Sequence, residues 1–239
     1  MRMTIQKDIV GDLNTLMSQA RTGDIIHYGV HSADAFRAGP RGPYIRRGHQ
    51  FFEILGPDSV HRLGDHPCDS WGVGRDGIVY RRDSSMYQIL SNGSVEKIVV
   101  NGVKDWNVGH LGVCVRDGKD FFVRDNDGNF ISYGKHSRMG WGVGQHELYL
   151  RRDVPNSRHA EFFTVTPTAE HSLGIHAYYG VWCSGPLGIV IPRNRQIVVL
   201  DNTGHEHYVA CLDFVKLSVG ENGIVCQLRN GELVMVMYK

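Results

Sequence analysis

Residues 71–83 read WGVGRDGIVYRRD and residues 141–153 read WGVGQHELYLRRD, with seven of thirteen positions identical in the same order. A catalytic site is normally written once in a chain, whereas a unit that must pack against copies of itself is written repeatedly. The first constraint on this chain is therefore architectural. Around the two copies, short apolar or alternating runs such as GIVYRR, EKIVV, GVCVRDGKDFFVRD, GIVIPRNRQIVVL and GIVCQLRNGELVMVMY are broken every few residues by Gly, Asn or Asp. Turns of the type Asp117-Gly118, Asp127-Gly128 and Asn230-Gly231 between such runs specify antiparallel hairpins. Helical periodicity is confined to DLNTLMSQA near the start, so the class is all-β.

Laid along the repeat, each unit holds an aromatic-led strand, a strand ending in glycine, a WGV-like strand, a polar turn and a strand ending in arginine. Such units fall at 50–83, 86–125, 126–153, 160–194 and 207–239, with a degenerate first copy at 5–48. Six units of roughly 40 residues match the length of a four-stranded propeller blade. The chain is thus predicted to form a single domain over 1–239, a six-bladed β-propeller with about four antiparallel strands per blade. A lone sheet of that size has two faces to cover and two open edges, and radial stacking buries the faces. Gly72 and Gly142 are expected to let the neighbouring backbone approach, with Val73 and Val143 facing the core between blades. The step into the 126–153 unit is only about two-thirds of the normal period, which leaves the register there open.

Composition narrows the function classes. Lysine and arginine total 26 against 25 acidic residues, without a basic block, so the electrostatic footprint of nucleic-acid binding is missing. No apolar run approaches the roughly 20 residues of a membrane-spanning helix, and the first twenty residues carry charges where a signal peptide needs an apolar stretch. The chain is expected to be cytoplasmic, or released without a conventional signal peptide. Its 5 cysteines include no C-x-x-C pair, which suggests neither a zinc ribbon nor a disulfide framework. His205 and His207, with His171 and His176, invite a metal reading, but spacing places no third ligand; no cofactor is expected.

The pattern W-G-V…Y-x-R, preceded by an aromatic-led strand, resembles the tectonin repeat, most clearly at 50–83, 86–125, 139–153 and 214–238. Phe51, Met86 or Tyr87, and Phe162 stand where that family usually has tryptophan. The resemblance implies a lectin that recognises surface glycans, including methylated or bacterial sugars, in innate defence. Sugar sites need an aromatic face for the C–H side of the ring and polar groups for its hydroxyls. Trp71, Tyr80, Arg82, Asp83, Trp106, Trp141, Tyr149, Arg152, Asp153 and Trp182 are the candidate ligand-binding residues, in several shallow repeated sites between blades or on one rim. The expected partners are cell-surface glycans, and self-association into a homo-oligomer would raise valency.

Two other classes stay open. GHLGVCVRDGKDFFV is similar to the histidine segment of papain-like cell-wall amidases, which would pair His110 with Cys183 of WCSG as a hydrolase dyad. A propeller can equally scaffold other proteins, since fold does not fix function. GVGRDG at 72–77 matches a dinucleotide-binding pattern but runs into a strand, which leaves no helix N-terminus for a phosphate.

Overall fold

Turn chemistry sets the hairpins. Gly118 and Gly231, at φ 60° and 87°, take the left-handed conformation that closes a tight turn between antiparallel strands. The computed structural model describes residues 4–5, 23–90, 92–99, 103, 105–125, 127–137, 140–178 and 180–238. The segment 12–20, the one helical candidate, lies outside them.

Six antiparallel sheets stand around a central axis, each with strands a to d from the axis outward. Blade 1 comprises Ala35–Ala38, Pro43–Arg47, Gln50–Gly56 and Ser59–Asp65, and blade 2 Ser70–Gly74, Gly77–Arg82, Ser85–Ile89 and Val95–Val99. Blade 3 comprises Asp105–Gly109, Gly112–Asp117, Asp120–Arg124 and Phe130–Lys135, and blade 4 Gly140–Val143, Leu148–Asp153, His159–Val165 and Glu170–Ala177. Blade 5 comprises Cys183–Gly185, Gly188–Arg193, Gln196–Leu200 and Glu206–Cys211. Blade 6 takes Phe214–Val219, Gly223–Leu228 and Glu232–Met237 from the end of the chain and its strand d, Ile25–Val30, from the beginning. That pairing is antiparallel, from Ile25 opposite Val236 to Val30 opposite Glu232, and it fastens the ring. Thr4–Ile5 adds a short parallel strand outside it.

The fold is the one the repeat predicts, but the unit boundaries are corrected. Residues 50–83 are strands c and d of blade 1 followed by a and b of blade 2. The link from one blade to the next is as short as a hairpin turn, so sequence repetition does not mark where a sheet ends. The short step before 126–153 also has a cause: taking FFVRD as the arginine-ending strand of the third unit runs one hairpin too far. Arg116, in strand b of blade 3, is the equivalent of Arg81 and Arg151, and Trp71, Trp106 and Trp141 then recur at one constant step.

Blade faces are buried by one rule. One apolar residue of each inner segment packs against strand c of the preceding blade. Trp71 meets Phe51 edge-on at 5.3 Å, Trp141 meets Phe121 at 5.3 Å and Trp182 meets Phe162 at 5.6 Å. Trp106 clusters with Met86, Leu217 with Ile197 and Phe36 with Leu233. Edge-to-face aromatic pairs add about 0.5–1.5 kcal/mol beyond area burial. The glycine after the tryptophan makes room as expected: a Cβ on Gly72 would lie 2.5 Å from Val108 Cγ1.

Candidate functional site

The inner strands share one pattern: an apolar leader, a variable residue, a small residue and a glycine. The glycines form one end of the axial channel. A Cβ on Gly74 would lie 2.6 Å from Val108 Cγ2, and one on Gly185 2.6 Å from Val219 Cγ1, so adjacent inner strands touch there. That end holds a cavity of only about 30 Å³, beside His110, Arg75 and Glu221. Toward the start of the strands the channel widens into a funnel of about 550 Å³, within the range of small-molecule sites.

The funnel wall combines indole edges with isolated polar groups: Trp71, Trp106, Trp141 and Trp182 with Arg37, Ser70, Asn107, Cys183, Ser184 and Ser218. Trp71 is buried, while the other three tryptophans are half-buried. Two indole N–H groups reach the first residue of the preceding inner strand. Trp106 Nε1 donates to Ser70 Oγ at 3.1 Å and Trp141 Nε1 to Asp105 Oδ2 at 3.2 Å. At the next junction that residue is Gly140, which offers Trp182 no side chain.

Among the described residues, Arg37 is the one charged side chain of the funnel wall. Its Nη1 donates to its neighbour's carbonyl, Phe36 O, at 2.9 Å, and its guanidinium lies 5.4 Å from the Trp71 ring centre. The side chain is exposed, and neighbouring protein lowers its pKa chiefly by desolvation. Burial pushes the Cys183 thiol up to about 11, against the opposing pull of Arg37, so it is a neutral thiol at neutral pH.

Several expected site residues lie elsewhere. Tyr80 and Tyr149, expected in equivalent sites, are 2% and 0% exposed and belong to the core. They are also not equivalent: Tyr80 pairs with Trp71, whereas the partner of Trp141 is Leu150, one residue after Tyr149. A one-residue offset on a strand reverses the face. Tyr149 points away from Trp141, and its hydroxyl donates to the buried Glu147 at 2.6 Å and lies 2.5 Å from Asn202 Oδ1. Arg82 and Arg152 stack over Tyr87 and Phe163 of their own blades, both at 5.1 Å, as Arg47 does over Phe52 at 5.0 Å. Arg152 also bonds Glu161. Asp83 occupies a left-handed turn position at φ 57°, its N–H donating to Asp69, and Asp153 pairs with Arg151 at 2.8 Å. Of the ten candidates, only the four tryptophans line the funnel.

Sequence reading missed Arg37, which occupies the variable position held by glycine at 72 and 142. It also missed a second repeated motif, Tyr/Leu-Gly-x-His at His31, His66, His136 and His176, at the end of strand d. Nε2 of His31, His136 and His176 donates to the carbonyl three residues back at 2.6–2.8 Å. The four-residue pattern recurs at the same point of four blades and is a legible signal in the sequence.

The hydrolase pair is not assembled. Cys183 lines the wide funnel, while His110 stands beyond the glycine end, its Nδ1 3.9 Å from Glu221. His205 is 2.7 Å from Thr203 and His207 2.7 Å from Asp201. Among the described residues, no group of three or more His, Cys, Asp or Glu could hold a metal ion.

No family model matches the sequence, and no curated protein matches it. Solved structures do. TolB from Acinetobacter baumannii aligns over 90% of this chain at 13% identity and a TM-score of 0.47, and the chain spans 64% of TolB's length. An oligogalacturonate lyase in complex with manganese aligns over 82% of this chain and 74% of its own, at 13% identity and a TM-score of 0.50. The Pan2 WD40 domain of Neurospora crassa aligns over 92% and 98%, at 9% identity and a TM-score of 0.49. At these identities the likeness is one of fold alone.

Proposed function

We propose that the chain is a carbohydrate-binding lectin of the tectonin type, with its principal sugar site at the wide end of the axial funnel and cell-surface glycans as partners. The observation that supports this reading most directly is the arc of three half-buried indoles, Trp106, Trp141 and Trp182, facing the hydroxyls and amide of Ser70, Asn107, Ser184 and Ser218 across one cavity. Sugars are held by such a division of labour: C–H faces lie against aromatic rings while hydroxyls exchange hydrogen bonds with short polar side chains. Each exchange gains little net free energy, about 1 kcal/mol, so a single funnel binds weakly and avidity on a surface requires self-association.

A glycan array with the wild-type chain and Trp182→Ala, checked by circular dichroism for an unchanged fold, tests the reading. Loss of array binding in the folded variant supports it; undiminished binding refutes the site. A scaffold reading has its own support in the exposed apolar residues of the outer strands, Val30, Ile131, Ile175 and Tyr208. A stoichiometric protein partner captured independently of sugar would favour that reading instead.

A further inference from the structure

Arg37 breaks the repeat with a charged side chain that is exposed and lines the funnel. The equivalent residues of the other inner strands are Gly72, Asn107, Gly142, Cys183 and Ser218, all uncharged at neutral pH. An exposed guanidinium with no carboxylate beside it keeps its charge and its fork of N–H donors available to an anionic ligand. Among the described residues, no carboxylate stands within ion-pair distance of Arg37. Its one hydrogen bond goes to Phe36 O, and one face lies toward the Trp71 ring. A second cavity of about 230 Å³ adjoins the funnel mouth, shares Arg37 and Leu217 with it, and adds Lys216, again without a carboxylate in its wall. Asp105, at the opposite rim, is engaged by the Trp141 indole and by Arg116 at 3.6 Å. Among the described residues, the two connected cavities therefore expose cations only.

From this we infer that the funnel selects an acidic sugar, one whose carboxylate pairs with the Arg37 guanidinium while its ring lies among the indoles. This rests on the sugar-binding reading above. Arginine suits the task better than lysine because its planar fork offers two parallel N–H donors to the two oxygens of a carboxylate. The remaining guanidinium N–H groups are the donors available for it.

The test uses methyl β-glucuronide and methyl β-glucoside, which differ only in the carboxylate, with inorganic phosphate as a third ligand. Binding is followed by calorimetry or ligand-observed NMR. The glucuronide is expected to bind at least tenfold more tightly than the glucoside. Arg37→Gln, shown to be folded by its melting curve, should reduce the glucuronide to the level of the glucoside and leave the glucoside unchanged. Arg37→Lys should recover only part of the difference. Equal binding of the two glycosides by the wild type, or an unaltered preference in Arg37→Gln, overturns the inference and leaves the lectin reading standing. Phosphate competing as well as the glucuronide marks a simple anion site and also overturns it. Failure of both glycosides to bind removes the lectin reading, and this inference with it.

Discussion

The ring is built from two kinds of junction. Blades 2 to 5 lead with Trp71, Trp106, Trp141 and Trp182, whereas the closing blades 6 and 1 lead with Leu217 and Phe36 at the same structural position. Leu217 joins the cluster of Ile197 and Phe36 that of Leu233, so the position asks only for apolar bulk. An indole brings more than that: an N–H donor and an edge that reaches the funnel. Packing explains why the position is apolar, and it does not explain why four of six are tryptophan. The surplus at Trp106, Trp141 and Trp182 is where ligand chemistry has room to act.

The sharpest way to break this comparison is to truncate one tryptophan of each exposure. Trp71 is 7% exposed and packed on Phe51, so Trp71→Ala should cost about 3–5 kcal/mol and substantially lower the melting temperature. Trp182→Ala, half-buried at the funnel, should cost clearly less in the same denaturant titration. Trp71→Leu should recover much of the loss, because leucine already serves at 217. Equal destabilisation by the two alanine variants would show that the tryptophans form one structural class, with no subset available to a ligand.

A smaller effect separates the two tyrosines. Tyr149→Phe removes the hydroxyl donor from Glu147, a carboxylate 7% exposed, and an unsatisfied buried polar group costs about 1–3 kcal/mol. Tyr80→Phe keeps the ring stacked between His66 at 5.6 Å and Tyr87 at 5.2 Å and should stay within about 0.5 kcal/mol of wild type. Thermal melts of both variants decide the matter. Similar losses would mean that the two residues play the same role after all.

How much of this was legible follows from what repeats. Architecture was readable because stacking imposes the same demand at every blade, and the Trp-Gly-Val-Gly runs beginning at Trp71 and Trp141 meet it in the same way. Blade boundaries were harder to read, because the link at 66–69 is no longer than a hairpin turn and its one mark is the recurring histidine at the end of strand d. The face of Tyr149 was lost to a one-residue offset inside an otherwise identical motif. Arg37 was invisible for the opposite reason. A search for recurrence discards the residue that occurs once, and a ligand site on a symmetric scaffold is built from such departures.

Among the described residues, the tryptophan half also carries histidine–carboxylate contacts between outer strands that the closing half lacks. His136 Nδ1 lies 2.8 Å from Glu170 and His176 Nδ1 2.8 Å from Glu206, each carboxylate at the start of strand d in the next blade. After the equivalent His31, strand d of blade 1 begins with Ser59 and Val60. Glu206 is further gripped by Arg193, whose Nη1 and Nη2 donate to its two oxygens at 2.6 and 2.5 Å. These hydrogen bonds, helped by His176, outweigh burial and hold the carboxyl below its ordinary range. A depressed folded-state pKa contributes stability that is present above the unfolded value of about 4.3 and lost as pH falls through the folded one. Glu206→Gln should therefore cost about 1 kcal/mol at pH 7, and the gap to wild type should close as melts are repeated below about pH 4. A gap that stays constant into acid would show that Glu206 contributes shape and not charge, and the ionic contacts would then not distinguish the two halves of the ring.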